Sequence, residues 1–526
     1  MINKRNLVCS AIFSFLFSTS LVVGSKIDIS QYKPFQLEFT NIFTLAGVSL
    51  VVCIICYILI YSVNKNEKII INKKIPLYYY FIFSSIIFAC WIPYFLSHIP
   101  GVLSPDSFSS VQIALGQTHN ITNWIPLLFT QFVSLFLHIG LFFTNSLQNA
   151  IIFVSLAQMI LFSAILGYIV YYFAKHGSNK IILIFTIGFY SLCPIISFYS
   201  FTIWKDILFS AVLLLFTLFI CELIDNIKNH ENTFLQNKLW ASFFIITSFL
   251  VIFLRNNGIF ICFITFAVLA VIFKKYWKKL IPVFSSVLVI SVLIQGPLYS
   301  AIGIRPSPFS ESAGILLGQI SRVAAENGDM SNNDKEELEK VLPISNFKKD
   351  YLPRNVDPIK GDPKFNMGYL DNHKFDFIKT WVSVGIKNPS AYIVAQLSQT
   401  KFLWYPFELG RIGGGSVTDN DYSIKGYDVI NFSSITNFVY SNFRLGGGST
   451  LIFSSGFLIF YIIFLIIFFI FKSKKLSIIP LIPLLSAWGT IFIATPADDF
   501  RYIFALFLAI PLYIFFAFYS ESKQNK

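Results

Sequence analysis

The feature that most constrains this chain is a series of long apolar runs separated by short polar loops. Of its 526 residues, 55% are hydrophobic and only 13% are charged, and 60 are phenylalanine. A helix needs about 20 apolar residues to cross the hydrocarbon core of a bilayer, and most of the runs approach that length. An ordinary soluble domain is therefore excluded, and the sequence predicts an all-α polytopic membrane protein.

The net charge of +13 reflects membrane topology rather than a nucleic-acid partner. The lysines cluster in short loops between apolar runs, for example at 65–74 and 274–279, as is typical of loops that face the cytoplasm. The seven cysteines all fall inside apolar segments, so neither a disulfide framework nor a zinc site is indicated. The sequence also has no Walker loop and no HExxH motif, which argues against a nucleotide enzyme or a metalloprotease.

The two lysine-rich loops also limit the number of crossings, because an even number must separate two cytoplasmic loops. Seven apolar runs lie between them, so one does not cross. We expect the exception to be 125–143, which contains Gln131, Ser134 and His138 and is predicted to lie at or dip into the outer interface. The predicted crossings are then 7–23, 42–62, 76–97, 150–173, 180–199, 203–223, 239–254, 257–273, 280–302, 450–471, 476–494 and 502–519.

These crossings number twelve and leave both termini in the cytoplasm. The first run is interpreted as a retained span, with a cleaved signal peptide as the alternative. The chain then divides into four parts: two transmembrane helices in 1–75, a transmembrane core in 76–302 with a first outer loop at 98–149, a mixed-charge extracytoplasmic region at 303–449, and C-terminal transmembrane helices in 450–526.

The extracytoplasmic region is predicted to be mainly helical. A short charged helix is expected from Ser331 through Leu342 and an amphipathic helix from Pro389 to Trp404. Two glycine triplets, Gly413 to Gly415 and Gly446 to Gly448, suit either flexible linkers or the hinges of a lid.

Asp106 is an isolated carboxylate in the polar stretch from His98 to Pro126. The preceding span ends near residue 97, so Asp106 is expected just outside the membrane, where a membrane enzyme would hold a general base. The alternative is that Asp106 is the N-cap of a helix, because an aspartate before an apolar-periodic run satisfies free backbone donors.

Several other charged residues are predicted to share the membrane surface of Asp106, although they come from separate loops. Each alone is compatible with a side chain that snorkels from a helix end. Together, carboxylates and cations suit a substrate with a membrane-anchored phosphate, held by Arg and Lys while an Asp activates a hydroxyl. The predicted set is Asp106, Lys205, Asp206, Arg255, Asp498, Asp499 and Arg501.

Short motifs follow one another over most of the chain from about residue 76. They are Ser104-Pro105-Asp106-Ser107, Asn123-Trp124-Ile125-Pro126, Trp204-Lys205-Asp206, Leu254-Arg255-Asn256-Asn257-Gly258, Asn388-Pro389-Ser390-Ala391-Tyr392, Trp404-Tyr405-Pro406 and Phe500-Arg501-Tyr502. As an ordered set they resemble the GT-C class of glycosyltransferases, and more narrowly the bacterial relatives of protein mannosyltransferases and of the lipid A aminoarabinose transferase. Members of that family usually carry a His or a charged residue where this chain has Ile125, and His119 is the candidate substitute.

The resemblance implies transfer of a sugar, with inversion, from a polyprenyl-phosphate donor to a glycan, lipid or protein acceptor outside a bacterial cytoplasmic membrane. Asp106 would be the general base, and Asp206 would orient the acceptor or Lys205. No cofactor is certain, and a divalent metal is allowed but not indicated. The donor phosphate would contact Lys205, Arg255, Arg501 and Tyr502, and the acceptor side would include Trp124, Asn123 and His119.

Two other classes of function remain open from the sequence. A flippase or exporter of lipid-linked sugars would also bind phosphate through cations, although such transporters commonly show paired halves and charges deep within spans. A non-catalytic membrane subunit of a glycan-assembly complex is the second alternative.

Overall fold

The described part of the chain is mainly helical in a computed structural model. The structure describes residues 3–27, 38–66, 68–69, 73–118, 121–229, 238–413, 417–431 and 453–520. The predicted class, an all-helical polytopic membrane protein, is confirmed.

The first half of the chain forms a helical bundle. A 3₁₀ turn at Lys274–Tyr276 and a π-helical turn at Ile294–Leu298 flank its last long helix. The helices are α1 Lys4–Lys26, α2 Thr40–Asn66, α3 Tyr78–Leu96, α4 Pro105–Ala114, α5 Leu127–Thr144, α6 Leu147–Lys175, α7 Lys180–Leu192, α8 Pro194–Ser200, α9 Lys205–Asn229, α10 Lys238–Leu254, α11 Gly258–Ile272, α12 Trp277–Leu293 and α13 Tyr299–Ala301.

The polar region that follows folds into short helices around a core of its own, and we call residues 303–413 and 417–431 the cap region. Buried Leu338, Phe347 and Phe377 belong to this second core. The helices are α14 Phe309–Ser312, α15 Gly314–Ala325, α16 Asn332–Glu339, α17 Ile344–Lys349, α18 Asp357–Lys360, α19 Met367–Asn372, α20 Lys374–Lys387, α21 Pro389–Gln399 and α22 Lys401–Trp404.

The C-terminal part returns to the bundle. Its helices are α23 Ser455–Phe471, α24 Ile482–Ala494, α25 Phe504–Leu508 and α26 Ile510–Phe518, with 3₁₀ segments at Lys475–Leu481 and Phe500–Ile503. Two very short strands, β1 Lys68–Ile69 and β2 Tyr519–Ser520, pair in parallel with Lys68 opposite Tyr519.

Within the described residues, nine helices are long and apolar enough to cross a membrane, and α7 with α8 makes a tenth if the pair is one span. The span expected over 180–199 is made of two helices, because α7 and α8 are bent by 54° at Cys193. Pro194 starts α8 and has no backbone N–H to continue the helix before it. Helices α10, α11 and α23 are apolar but shorter.

The surface of the bundle is apolar and its centre is α9. Most of α9 is buried, whereas α2 lies at the periphery with Phe43 and Leu50 exposed. Helices α5 and α7 likewise expose Phe142 and Ile184. Such a continuous apolar exterior is suited to lipid and not to water.

The polar loops are sorted to the two ends of the bundle. At one end, the Lys73 N–H donates to the Lys175 carbonyl, and β1 pairs with β2. The opposite end carries the first polar loop, which pairs with the cap region where Ile99 exchanges backbone hydrogen bonds with Tyr427. We call these the lysine end and the loop end.

Both ends of α5 contact segments at the loop end. Just before α5, the Trp124 carbonyl accepts a hydrogen bond from Lys205 Nζ at 2.8 Å. Beyond its other end, Gln148 Nε2 donates to the carbonyl of Lys425, in the cap region, at 2.8 Å. Of these two consecutive helices, α5 and α6, only α6 runs on to the lysine end, where Lys175 lies.

The two helices predicted for the cap region form, but they begin or end at other residues than expected. The expected helix from Ser331 through Leu342 is Asn332–Glu339, started by a capping box between Ser331 and Asp334. The expected helix from Pro389 to Trp404 is split at Thr400 into α21 and α22. Of the glycine triplets, only Gly413 lies among the described residues.

Candidate functional site

The first turn of α4 is anchored to the start of α9. Ser104 is the N-cap of α4 and forms a capping box with Ser107. Trp204 Nε1 donates to Ser104 Oγ at 2.7 Å, and Ser107 Oγ donates to the Ile203 carbonyl at 2.9 Å. The alternative of Asp106 as the N-cap is therefore wrong: Asp106 lies in the first turn, and its carboxylate is available to another partner.

That partner is Arg501, which joins three carboxylates from three parts of the chain. Its Nη1 lies 2.5 Å from Asp106 Oδ2, and its Nε lies 3.0 Å from Asp499 Oδ2 and 4.0 Å from Asp206 Oδ2. The guanidinium also lies over the ring of Trp204, 4.9 Å from its centroid. Arg501 is therefore held in place from several sides.

Arg255 occupies the neighbouring position between two aromatic rings. Its guanidinium carbon is 5.2 Å from the ring centroid of Tyr502 and 5.5 Å from that of Phe209. Its Nη1 lies 3.2 Å from Asp206 Oδ1. The buried Asp206 carboxylate thus holds Arg255 and faces Arg501.

Lys205 is bound differently from the two arginines. Its ammonium donates to the Trp124 carbonyl at 2.8 Å and lies 5.4 Å from the centroid of the Trp124 ring. Among the residues the structure describes, no carboxylate forms an ion pair with Lys205 within 4.0 Å. Because an ammonium has three donors, Lys205 can donate to a further acceptor.

These residues line one cavity of about 510 Å³ between the bundle and the cap region. The bundle contributes Asp106, Trp124, Lys205, Asp206, Arg255, Asp499, Arg501 and Tyr502, and the cap region contributes Glu311, Asp357, Lys360 and Arg411. A cavity of this size falls in the range of small-molecule binding sites.

Of the residues predicted for the acceptor side, Asn123 lies away from this cavity. Asn123 binds Asn256, whose Nδ2 donates to the Asn123 carbonyl at 2.6 Å, and this contact ties the first polar loop to the turn between α10 and α11. Asn123 does not line the cavity described above. His119 lies outside the described residues.

The sequence reasoning missed the cap residues that close the cavity. Arg411 Nε lies 2.9 Å from Asp498 Oδ1, and Arg354 pairs with the other oxygen of the same buried carboxylate. Asp498, expected among the site residues, therefore attaches the cap region to the bundle. No motif marks Arg411 or Lys360, because their neighbourhoods are of mixed charge like any soluble surface.

Burial shapes the acidity of the two adjacent carboxylates. It raises the pKa of Asp499, and the Arg501 guanidinium partly opposes this effect. It also raises the pKa of Asp498, with Arg354 and Arg411 acting in the opposite direction. Both carboxylates thus depend on their arginine partners to remain charged.

The arginines of the cavity also bear on whether its carboxylates can bind a metal ion. Within the described ranges, no group of three or more His, Cys, Asp and Glu side chains is arranged to hold a metal ion. The carboxylates of the cavity are instead paired with guanidinium groups.

The family model of DUF6020 matches residues 112–526, which is most of the chain and includes Lys205, Arg255 and Arg501. The chain belongs to the DUF6020 family. DUF6020 is described as a family of unknown function. Asp106 lies shortly before the matched region. No curated protein and no solved structure matches the chain.

The three bundle carboxylates in this DUF6020 protein differ in their access to the cavity. The Asp106 side chain is 33% exposed, compared with 17% for Asp499 and 1% for Asp206. A molecule in the cavity can therefore reach Asp106 most easily. The site combines an accessible carboxylate with cations at one end of a membrane bundle.

Proposed function

We propose that this DUF6020 protein transfers a sugar from a polyprenyl-phosphate-linked donor to an extracytoplasmic acceptor, with inversion. The observation that carries this proposal is the accessible Asp106 carboxylate on the wall of a cavity that also contains Lys205 and Arg255. The apolar bundle suits a lipid-linked donor, because its polyprenyl chain would remain in the bilayer while the phosphate enters the cavity.

In the proposed reaction, Asp106 accepts the proton of an acceptor hydroxyl as that oxygen attacks the anomeric carbon. The bond between that carbon and the phosphate oxygen breaks, and the phosphate leaves with the electron pair. A phosphate is already a good leaving group, so no acid is needed to protonate it. Cations placed before the reaction stabilise its charge, as donors do in an oxyanion hole.

The contacts favour different roles for the three cations. Lys205 has free donor capacity and Arg255 has one carboxylate contact, so these two are our proposed ligands for the donor phosphate. Arg501 is engaged by Asp106 and Asp499, and a phosphate there would compete with both. We assign Arg501 as a positioning residue for Asp106 and Asp206 as the residue that holds both guanidiniums.

The proposed topology places the loop end outside a bacterial cytoplasmic membrane. The lysine-rich loops at the other end support this orientation. The contacts at both ends of α5 support an interfacial position for that helix, and hence twelve crossings. The cap region would then cover the site, and Lys360 and Arg411 would lie on the side where a glycan, lipid or protein acceptor enters.

The direct test is a transfer assay with purified protein. Donors would be a panel of polyprenyl-phosphate-linked hexoses, membranes would supply the acceptor, and the readout would be release of free polyprenyl phosphate. We expect release by the wild type and little by Asp106→Asn. If no donor reacts while proteoliposomes move the lipid-linked sugar across the bilayer, the protein is an exporter. If neither occurs with any donor, the non-catalytic subunit becomes the better assignment.

A further inference from the structure

One face of the cap region is apolar although it faces away from the cap core. On α20, Phe375, Lys379, Val382 and Ile386 are all exposed, and Phe375 and Ile386 are each 76% exposed. Their spacing of four, three and four residues places them on one side of the helix. A helix on a water-facing domain normally has polar residues on this side, and here three of the four are large and apolar.

The opposite side of α20 accounts for the packing of the cap region. Phe377 and Val384 are buried in its core, and Tyr392 of α21 donates from its hydroxyl to the Trp381 carbonyl at 2.7 Å. The exposed stripe is therefore not needed to close the cap core. Ile393, which is also exposed, extends it onto α21.

Helix α21 brings this stripe toward the membrane surface. Gln396 Nε2 donates to the Phe492 carbonyl at 2.7 Å, and Gln399 Nε2 donates to the Thr495 carbonyl at 2.8 Å. Both carbonyls lie at the end of α24, and Trp488 of α24 donates from Nε1 to the Leu403 carbonyl at 3.0 Å. Helices α21 and α22 therefore contact the bundle where α24 reaches the loop end, and Ile393 lies one turn before Gln396 on α21.

The neighbouring surface of the bundle is already apolar. Ile493 of α24 is exposed next to the Phe492 carbonyl that binds Gln396. Exposed apolar side chains of the bundle and of the cap region thus lie on the two segments that this hydrogen bond joins, Ile493 on α24 and Ile393 on α21.

We infer that the α20–α21 face, formed by Phe375, Lys379, Val382, Ile386 and Ile393, is seated in the outer leaflet of the bilayer. Its apolar side chains would lie at the boundary between headgroups and acyl chains, as in interfacial amphipathic helices. Lys379 would extend its ammonium to lipid phosphates, which favours anionic phospholipids. The membrane would then hold the cap region over the cavity in addition to the contacts of the cap region with the bundle.

The first test uses the unmodified full-length protein in nanodiscs that contain phosphatidylglycerol and a phospholipid with a diazirine near the top of its acyl chain. After irradiation, lipid adducts would be located by mass spectrometry. We expect adducts on the peptide 374–393 at a level similar to that at Ile493, and severalfold above those on α16. Adducts confined to the bundle helices would overturn the inference.

A second test measures hydrogen exchange of α20 in the double variant Ile386→Glu/Ile393→Glu, because charges at exposed positions should not disturb the cap core. In phosphatidylglycerol nanodiscs, α20 should exchange severalfold faster in this variant than in the wild type. The matched control is Lys335→Glu, at an exposed position of α16, and it should leave the hydrogen exchange of α20 unchanged. Equal exchange in the double variant and the wild type would contradict lipid seating. Protection of α20 by an added protein, but not by lipid, would assign the face to a protein partner instead.

Discussion

Arg501 Nη1 lies 2.5 Å from Asp106 Oδ2, which joins two residues 395 positions apart in the chain. Asp106 comes from the first turn of α4, and Arg501 comes from the 3₁₀ segment that opens the last apolar run. The contact brings the first polar loop and the C-terminal helices to one cavity. It also fixes the orientation of the carboxylate that we propose as the general base.

Replacing Asp106 by Asn should abolish most of the transfer activity and leave folding unchanged. Asn has nearly the same volume but cannot accept a proton at neutral pH, and a positioned base contributes about 100-fold to 10,000-fold in rate. We expect turnover to fall by that factor, which corresponds to about 3 to 5 kcal/mol in barrier height. Polyprenyl phosphate release measures this loss.

The matched control for Asp106 is Asp357→Asn, which changes an exposed carboxylate on the cap side of the same cavity. It should retain most of the wild-type turnover. Because Ser104 caps α4, a lost cap cannot explain inactivity of Asp106→Asn. An Asp106→Asn protein as active as the wild type would disprove the role of Asp106.

Replacing Lys205 by Met should weaken donor binding more than it slows the chemical step. A hydrogen bond to a charged group is worth about 1.5–3 kcal/mol, so the apparent donor KM should rise about 10-fold to 150-fold. The control Lys360→Met removes a cation that is paired with Glu311 at 2.9 Å, and it should change the donor KM little. Equal KM values for wild type and Lys205→Met would remove Lys205 from the phosphate site.

Replacing Arg501 by Gln should destabilise the protein and reduce turnover together. Removing one partner of a fully buried ion pair costs about 3–5 kcal/mol, and the Arg501–Asp499 pair, with side chains 16% and 17% exposed, should cost less than that. Adding Asp499→Asn should recover part of the stability but not the turnover, since Asp106 would still lack its partner. Arg501→Lys should recover little of either, because an ammonium lacks the bidentate fork.

The two measurements for Arg501 are thermal unfolding in detergent and steady-state kinetics. If Arg501→Gln raises the donor KM and leaves the stability unchanged, Arg501 is a phosphate ligand as the sequence resemblance implied. If both quantities stay at wild-type values, Arg501 is a helix-end cation without a role in the site.

The topology predicts which positions an impermeant thiol reagent reaches in intact cells. Single cysteines near Asp106, Asp206, Asn346 and Asp499 should be labelled from outside, and cysteines near Lys73 or Lys278 should react only after permeabilisation. Labelling near Asp206 only after permeabilisation would refute the interfacial position of α5.

Asp334 should make the stability of the cap region depend on acid pH. Burial alone would raise its pKa, but hydrogen bonds from Ser331 and Lys387 lower the pKa of Asp334 to about 2. The ordinary pKa of an Asp carboxyl is about 3.9. A carboxyl whose pKa is lower in the folded state stabilises that state at pH values above about 3.9, and this contribution is lost as the pH falls toward 2. At pH 7, Asp334→Asn should therefore cost about 1–2 kcal/mol after allowance for solvent screening.

Hydrogen exchange of α16, corrected for intrinsic rates, measures this effect. The difference between Asp334→Asn and wild type should be largest near neutral pH and should shrink below pH 4. The exposed control Asp329→Asn should show no pH-dependent difference of this kind. A constant difference between pH 7 and pH 3 would exclude ionisation of Asp334 as its cause.

The sequence by itself determined the class of the protein and the approximate limits of its apolar helices. A span must satisfy its backbone hydrogen bonds internally and remain apolar over the bilayer thickness, so the information is local. The same reasoning singled out α5 as unusual from Gln131, Ser134 and His138. The break at Pro194 was also readable in principle, because proline acts on its own helix.

Only the tertiary structure decided which partner each charged side chain has. Ser104, and not Asp106, caps α4, and Trp204 and Ile203, just before α9, hold the first turn. Arg411 and Lys360 close the cavity because contacts such as that of Arg411 with Asp498 attach the cap region to the bundle. Such contacts depend on how distant segments pack, and the charge of a residue says nothing about which distant residue will face it. The pairing of Asp106 with Arg501 across 395 positions is of this kind, since it exists only once α4, α9 and the C-terminal helices are assembled.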